Sequence, residues 1–173
     1  YNREMPEEIN RILTDHASNL LFPPSDSAAD TLRQEGITEG VHMVGDVMYD
    51  AILWAKGVAV TESNVLERVD IEEGEFILST VHRASNTDDP DRPKSIVEGL
   101  SNAPLPVVLP VHPRTENRLR EYELWEQAVL ELEVIDPVGY LDFVRLIDGS
   151  ERVATDSGGV QKEAFYLDTP CVT

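Results

Sequence analysis

Short apolar runs alternate along the chain with segments whose apolar positions recur every three or four residues. The runs predict buried strands, at residues 20–22, 41–44, 76–81, 107–111, 134–135, 153–155 and 170–172. The periodic segments predict helices, at residues 6–17, 26–35, 47–56, 93–100, 116–121, 140–147 and 159–167. This alternation favours an α/β fold in which a parallel sheet is covered by helices on both faces.

Polar side chains follow three of the predicted strands, at the point where each strand ends. They lie at residues 82–83, 112–114 and 156–158. Because the carboxyl ends of parallel strands meet at one edge of a sheet, these groups are expected to converge there. The pattern predicts one functional site at that edge.

The turn Ser157-Gly158-Gly159 leads from a predicted strand into a predicted helix. Such a turn leaves backbone N–H groups free at the positive end of the helix, with no Cβ to block a close approach, which suits a phosphate. Glu163 follows one helical turn later, where it could accept hydrogen bonds from a sugar diol. The turn indicates a nucleotide diphosphate site; the alternative is an ordinary tight turn with Glu163 balancing the helix dipole.

The charge is strongly acidic. The 173 residues include 14 basic and 33 acidic side chains, giving a net charge of −19, and the acids are spread along the chain. This pattern favours a halophilic source, and it argues against a nucleic-acid partner, which would need a basic stripe. No apolar run predicts a membrane span or a signal peptide, so we expect a soluble cytoplasmic protein. Cys171 is the single cysteine, which excludes an internal disulfide or a cysteine-based metal cluster.

Six motifs in order resemble the non-hydrolysing UDP-N-acetylglucosamine 2-epimerases. They are Met-Pro-Glu-Glu-Ile-Asn-Arg at 5–11, Gly-Asp-Val-Met-Tyr-Asp-Ala at 45–51, Thr-Val-His-Arg-Ala-Ser-Asn-Thr at 80–87, His-Pro-Arg at 112–114, Gly-Tyr-Leu-Asp-Phe at 139–143 and Asp-Ser-Gly-Gly-Val-Gln-Lys-Glu-Ala at 156–164. The resemblance covers essentially the whole chain.

The resemblance implies two Rossmann-like domains, as in type B glycosyltransferases, with the nucleotide sugar bound between them. Residues 1–46 would be the last elements of the N-terminal domain, and residues 47–173 most of the UDP-binding domain. It also implies interconversion of UDP-GlcNAc and UDP-ManNAc through elimination of UDP, a 2-acetamidoglucal intermediate and re-addition. Such enzymes are implied to be homodimers in polysaccharide biosynthesis that need no metal or redox cofactor.

The resemblance also assigns roles to individual residues. Glu7 would be a catalytic carboxylate, with Glu8 as the alternative, and His82 the active-site histidine. The UDP-binding residues would be Arg83, Phe143, Ser157, Gly158, Gly159 and Glu163, with the turn on the phosphates, Glu163 on the ribose and Phe143 against the uracil.

Each assignment has a purely structural alternative. Glu7 could be a helix N-terminal acid, His82 a hydrogen-bonded histidine at a strand end, and Phe143 a core residue. Arg83 and Arg114 could simply pair with surface acids.

The chain departs from the family pattern in two respects. Ser85 stands where many relatives have Glu, which changes a polar contact near the diphosphate. The segments that supply the other catalytic acids of the family do not occur in the sequence. We therefore expect a central fragment of a longer enzyme, catalytically inactive alone or at most a weak UDP binder.

Other functions remain open from the sequence. One is an epimerase for UDP-2,3-diacetamido-2,3-dideoxyglucuronate, and another is a hydrolysing epimerase that releases free ManNAc. A UDP-sugar glycosyltransferase domain would bind UDP at the same turn, although the segment at 5–11 is an epimerase feature. A structural or interaction role is the last alternative.

Overall fold

The computed structural model describes residues 6–173. The chain divides into two compact units, one up to Ala51 and the other from Ile52. The boundary falls inside a helix, α3 (Val47–Glu62).

The first unit contains helices α1 (Pro6–Ala17) and α2 (Asp26–Gln34). The Ser25 hydroxyl caps α2 by accepting a hydrogen bond from the N–H of Ala28 at 3.2 Å, as the sequence predicts. The strands predicted at 20–22 and 41–44 are reduced to one parallel bridge between Leu21 and Val41. Apolar character alone therefore overestimates the strand length in this unit.

The second unit is built on a sheet of five parallel strands. The strands are β1 (Ile77–Thr80), β2 (Val107–Pro110), β3 (Glu133–Ile135), β4 (Arg152–Thr155) and β5 (Cys171–Val172). Their order across the sheet is β3-β2-β1-β4-β5. All five strands were predicted from the sequence, and their arrangement confirms the Rossmann-like α/β fold.

Seven further helices follow α3 among the described residues of this unit. They are α4 (Val65–Val69), α5 (Ala84–Thr87), α6 (Asp91–Ser101), α7 (Pro113–Glu121), α8 (Trp125–Glu131), α9 (Tyr140–Gly149) and α10 (Gly158–Tyr166). The sequence did not predict α4, α5 and α8. Within residues 6–173, every helix is too short or too polar to cross a membrane.

The sheet is buried on both faces. Leu78 points into a core that includes Ile147 of α9 and Ala164 of α10. Its neighbour Ile77 belongs to a separate cluster with Leu109 on the opposite face. Because successive strand residues point to opposite faces, this double burial explains the continuous apolar runs of the sequence. β1 lies at the centre, between β2 and β4, so the loops after these three strands emerge side by side.

Candidate functional site

The loops after β1, β2 and β4 meet at the carboxyl edge of the sheet, as the sequence predicts. His82 follows β1 and His112 follows β2, and their ring centroids are 6.0 Å apart. Asp156 follows β4, and its carboxylate accepts a hydrogen bond from the backbone N–H of His82 at 3.0 Å. Three polar groups distant in sequence thus form one site.

The turn from β4 into α10 is held by hydroxyl groups. Ser157 is the N-cap of α10, and its Oγ accepts from the N–H of Val160 at 3.4 Å. The N–H of Ser157 donates to Oγ1 of Thr155 at 2.9 Å, and that oxygen lies 2.6 Å from Oγ1 of Thr80. These bonds fix the turn against β1 before any ligand binds.

The two glycines leave space in front of the helix. Among residues 6–173, the N–H groups of Gly158 and Gly159 in the first turn of α10 have no acceptor. A Cβ atom at position 159 would meet only the Ser157 hydroxyl, at 3.7 Å. A Cβ at position 158 would lie 3.8 Å from Nη2 of Arg83. An anion at this turn could therefore contact free N–H groups and a guanidinium together.

Arg83 and Arg114 have different surroundings. Asp88 holds the Arg114 guanidinium at 2.8 Å and is also contacted by Arg118 at 3.2 Å, and the hydrogen bond from Arg114 is the main reason why the pKa of Asp88 is lowered. Within the described part of the chain, Arg83 forms no ion pair. The alternative of simple pairing with acids thus applies to Arg114, while Arg83 is available beside the glycine turn.

A cleft of about 200 Å³ opens between the loops. His82, His112, Phe143 and Val160 are among the residues that line it. Phe143 also packs against the main core, so it is both a core residue and part of the cleft wall. The cleft combines apolar side chains with a few polar groups, the usual composition of a site for a small molecule.

Glu163 lies on α10 and is half-buried. Burial is the main reason why the pKa of Glu163 is raised, and a hydrogen bond with the Tyr140 hydroxyl opposes that rise. The pKa of Tyr140 is raised in turn by burial, by the charge of Glu163 and by the same bond. The carboxylate is thus partly satisfied and keeps an oxygen for a further donor.

Glu7 and Glu8 begin α1, in the first unit. Arg11 binds Glu8 through two nitrogens, at 3.0 and 3.2 Å, and the hydrogen bond from Arg11 is the main reason why the pKa of Glu8 is lowered. Glu7 is exposed and, within residues 6–173, has no ion pair. Of the two acids, Glu8 is the one whose carboxylate is already engaged by another side chain within residues 6–173.

Several polar residues of the site had no role assigned from the sequence. His112 and Asp156 were expected at the carboxyl edge of the sheet, where their strands end, whereas Asn86 and Tyr140 were recognised only as members of motifs. The strand-end positions indicated the place of His112 and Asp156 but not their contacts. The helix-start position of Tyr140 could have indicated that residue, whereas Asn86 lies in α5, a helix that the sequence did not predict. Among the described residues, no group of three or more acidic, histidine or cysteine side chains is placed to hold a metal ion.

A family model described as UDP-N-acetylglucosamine 2-epimerase matches residues 1–173. The chain belongs to this family. It is 42% identical over 183 residues to the UDP-N-acetylglucosamine 2-epimerase of Methanocaldococcus jannaschii, covering 100% of this chain and 50% of that protein. It is 48% identical over 179 residues to the UDP-2,3-diacetamido-2,3-dideoxy-D-glucuronate 2-epimerase of Pseudomonas aeruginosa, covering 100% of this chain and 48% of that protein.

Solved structures of the family share the fold. The M. jannaschii UDP-GlcNAc 2-epimerase in complex with UDP-GlcNAc and UDP is 40% identical with a TM-score of 0.83, over 98% of this chain and 49% of that one. The Neisseria meningitidis enzyme bound to UDP-GlcNAc is 28% identical with a TM-score of 0.83, over 100% and 49%. The chain spans about half the length of these epimerases, and the resemblance seen in its motifs is confirmed.

Proposed function

We propose that this chain supplies the UDP-binding part of a UDP-sugar 2-epimerase that interconverts UDP-GlcNAc and UDP-ManNAc. Residues 47–173 would form the UDP-binding domain, and residues 1–46 the last elements of the N-terminal domain. The observation that carries the proposal is the position of the Arg83 guanidinium beside the free N–H groups of the glycine turn. Relatives with the same fold were solved with UDP or UDP-GlcNAc bound.

The proposed reaction starts with loss of UDP. A base removes the proton from C2 of the sugar, the C1–O bond breaks, and its electron pair leaves with the diphosphate while a C1–C2 double bond forms. UDP then adds back to C1 as C2 receives a proton on the opposite face. The sugar is neither oxidised nor reduced, and water is not consumed in this non-hydrolysing form.

Different residues would bind different parts of the substrate and assist different steps of this reaction. The N–H groups of Gly158 and Gly159, capped by Ser157, would hold the diphosphate, and Arg83 would neutralise the charge that develops on it. His82 would contact the diphosphate or help UDP to depart. Two further assignments concern other parts of the substrate: Glu163 would bind the ribose hydroxyls and Phe143 would lie against the uracil.

Glu7 is our candidate for a catalytic base. Its helix-terminal position alone would also suit a purely electrostatic role. The double hydrogen bond of Arg11 to Glu8 supports Glu7, because a carboxylate engaged in this way is a weaker base. We propose that the chain alone does not turn over, since it spans about half of its relatives.

Calorimetric titration with UDP tests the binding function. We expect micromolar to millimolar affinity in molar KCl, and a loss of about tenfold or more for Glu163→Ala. Glu98→Gln, an exposed acid on α6, is the control and should bind like the wild type. Absence of UDP binding by the wild-type chain would contradict the proposal. Conversion of UDP-GlcNAc to UDP-ManNAc by this chain alone would contradict only its predicted inactivity.

A second candidate substrate is UDP-2,3-diacetamido-2,3-dideoxy-D-glucuronate. The 48% identity to the Pseudomonas aeruginosa enzyme favours it as strongly as the other relatives favour UDP-GlcNAc. Both substrates carry UDP, so the UDP test cannot separate them. Assaying the full-length gene product on both nucleotide sugars would decide, because the preferred one is expected to have the higher kcat/KM.

The remaining proposals concern the setting of the enzyme. A net charge of −19 supports a halophilic origin and argues against binding to nucleic acid, because both surfaces would be negative. We also propose a homodimeric enzyme of polysaccharide biosynthesis in the cytoplasm, which uses no cofactor and does not bind a membrane.

A further inference from the structure

Asp156 is the centre of a hydrogen-bond network between the β1 and β4 loops. Its side chain is only 9% exposed. Oδ2 accepts from the backbone N–H of Arg83 at 2.9 Å, from the N–H of His82 at 3.0 Å and from Nδ2 of Asn86 at 3.0 Å. A carboxylate so enclosed needs these donors, and the donors fix the course of the loop in return.

The other carboxylate oxygen faces the His82 ring. Oδ1 also accepts from the backbone N–H of His82, at 3.2 Å, so the two carboxylate oxygens share this donor. Oδ1 lies 3.5 Å from Nδ1 of the His82 ring. It therefore has capacity for one more donor, and Nδ1 is the ring nitrogen beside it. In the neutral ring this arrangement favours a proton on Nδ1 and leaves Nε2 without one.

His112 lies close to His82, and its hydrogen bonding favours the other tautomer. Its Nδ1 accepts a hydrogen bond from the backbone N–H of Arg114 at 3.1 Å, as the N-cap of α7. The proton of the neutral ring must then be on Nε2. The two rings, with centroids 6.0 Å apart, are thus held in different tautomers by different backbone and side-chain partners.

We infer that Asp156 is a positioning residue that sets the tautomer of His82 and the direction of Arg83 for the diphosphate. It contacts no ligand itself. It holds the backbone of both residues through their N–H groups, and its Oδ1 beside Nδ1 leaves Nε2 of His82 as an acceptor for a hydrogen bond or a proton from the substrate. The expected effect of Asp156 on UDP binding rests on the proposed function. The expected tautomer of His82 does not.

The tautomers can be measured on the chain without any ligand. Two-bond ¹H–¹⁵N correlation spectra at about pH 8, where histidines are mainly neutral, should show His82 as the Nδ1–H form and His112 as the Nε2–H form. His82→Gln and His112→Gln assign the signals. Finding His82 in the Nε2–H form in the wild type would overturn the inference whether or not any variant folds.

Asp156→Asn tests the link to binding. The variant should shift His82 toward a tautomer mixture, leave His112 unchanged, and weaken UDP binding about tenfold. Asp148→Asn, which loses an ion pair of the same unit with Lys56, is the control and should keep the His82 tautomer. An unchanged His82 tautomer in Asp156→Asn would overturn the inference.

A double-mutant cycle separates positioning from general stability. If Asp156 acts partly through Arg83, then Arg83→Ala combined with Asp156→Asn should lose less UDP affinity than the product of the two single losses, because only the share that acts through His82 remains. Fully multiplicative losses would overturn that part of the inference. A wild-type chain that binds no UDP but shows the expected tautomers would refute the proposed function while leaving the positioning role of Asp156 intact.

Discussion

Glu163 shows how one side chain could select a ribonucleotide. Its carboxylate is half-buried, carries a raised pKa because of burial, and shares a hydrogen bond with Tyr140. We predict that the wild-type chain binds UDP about tenfold more tightly than 2′-deoxy-UDP, because the missing hydroxyl leaves a buried acceptor unpaired. Glu163→Gln should reduce that ratio to about threefold or less, since a neutral acceptor forms a weaker bond. Competition calorimetry with the two nucleotides measures the ratio.

The pH dependence provides an internal check on this prediction. Because the pKa of Glu163 is raised, its carboxylate takes up a proton at a pH where exposed glutamates are still ionised. The preference for UDP should therefore begin to fall earlier on acidification than the titration of an ordinary glutamate would predict. A ratio that is the same in Glu163→Gln and the wild type would show that Glu163 does not contact the ribose.

Helix α9 is fixed by an acid in its first turn. Asp142 accepts from the Ser63 hydroxyl at 2.6 Å and from Arg68 at 2.7 Å, and the Ser63 bond is the main reason why its pKa is lowered. Because the pKa is lowered in the folded state, this stabilisation is present above the unfolded pKa and is lost as the pH falls through the folded one. We predict that Asp142→Asn lowers the stability by about 1 kcal/mol at neutral pH, or roughly 3 °C in Tm.

Thermal unfolding followed by circular dichroism against pH tests this prediction. The gap in Tm between wild type and Asp142→Asn should close only as the pH falls through the lowered pKa of Asp142, below the usual range of an aspartate. Asp91→Asn is the matched control, because Asp91 also lies in the first turn of a helix and, in the described part of the chain, forms no ion pair. A gap that does not change with pH would show that the charge of Asp142 is not responsible.

Helix boundaries show where local sequence is sufficient and where it is not. The bounds of α1 were predicted correctly from a proline, two acids and an apolar stripe. Helix α3 was predicted to end at residue 56, yet it continues through Gly57 to Glu62. Ala55 and Ala59 are fully buried, so packing on this face outweighs the low helix propensity of glycine. Local propensity could not show that burial.

The candidate site also has one part that the sequence could predict and another that it could not. The glycine turn, His82 and Glu163 could be found from the sequence because they stand at strand ends and helix starts. The network around Asp156 could not, since its partners lie 70 to 74 residues away along the chain. Helix α5 depends on that network, because Arg83 is its N-cap residue. A helix of four residues held by a distant carboxylate leaves no periodic pattern to recognise.

At the scale of the whole molecule, the dominant property is a net charge of −19. Repulsion among the acids opposes the compact state, and added salt reduces the screening distance from about 10 Å at 0.1 M to about 3 Å at 1 M. We predict that Tm rises by roughly 10 °C or more between 0.1 and 2 M KCl. Differential scanning calorimetry across a KCl series measures the change.

Screening must be separated from the general stabilising effect of salt on apolar burial. Screening acts mainly below about 1 M, where the Debye length is still shortening, whereas preferential exclusion continues to grow above it. A variant with Glu72, Glu75 and Glu98 changed to Gln removes three exposed charges and should have a higher Tm at 0.1 M but nearly the wild-type Tm at 2 M. Parallel salt curves for variant and wild type would mean that the acids act through hydration rather than repulsion. A wild-type Tm that does not change with salt would contradict the proposed halophilic origin.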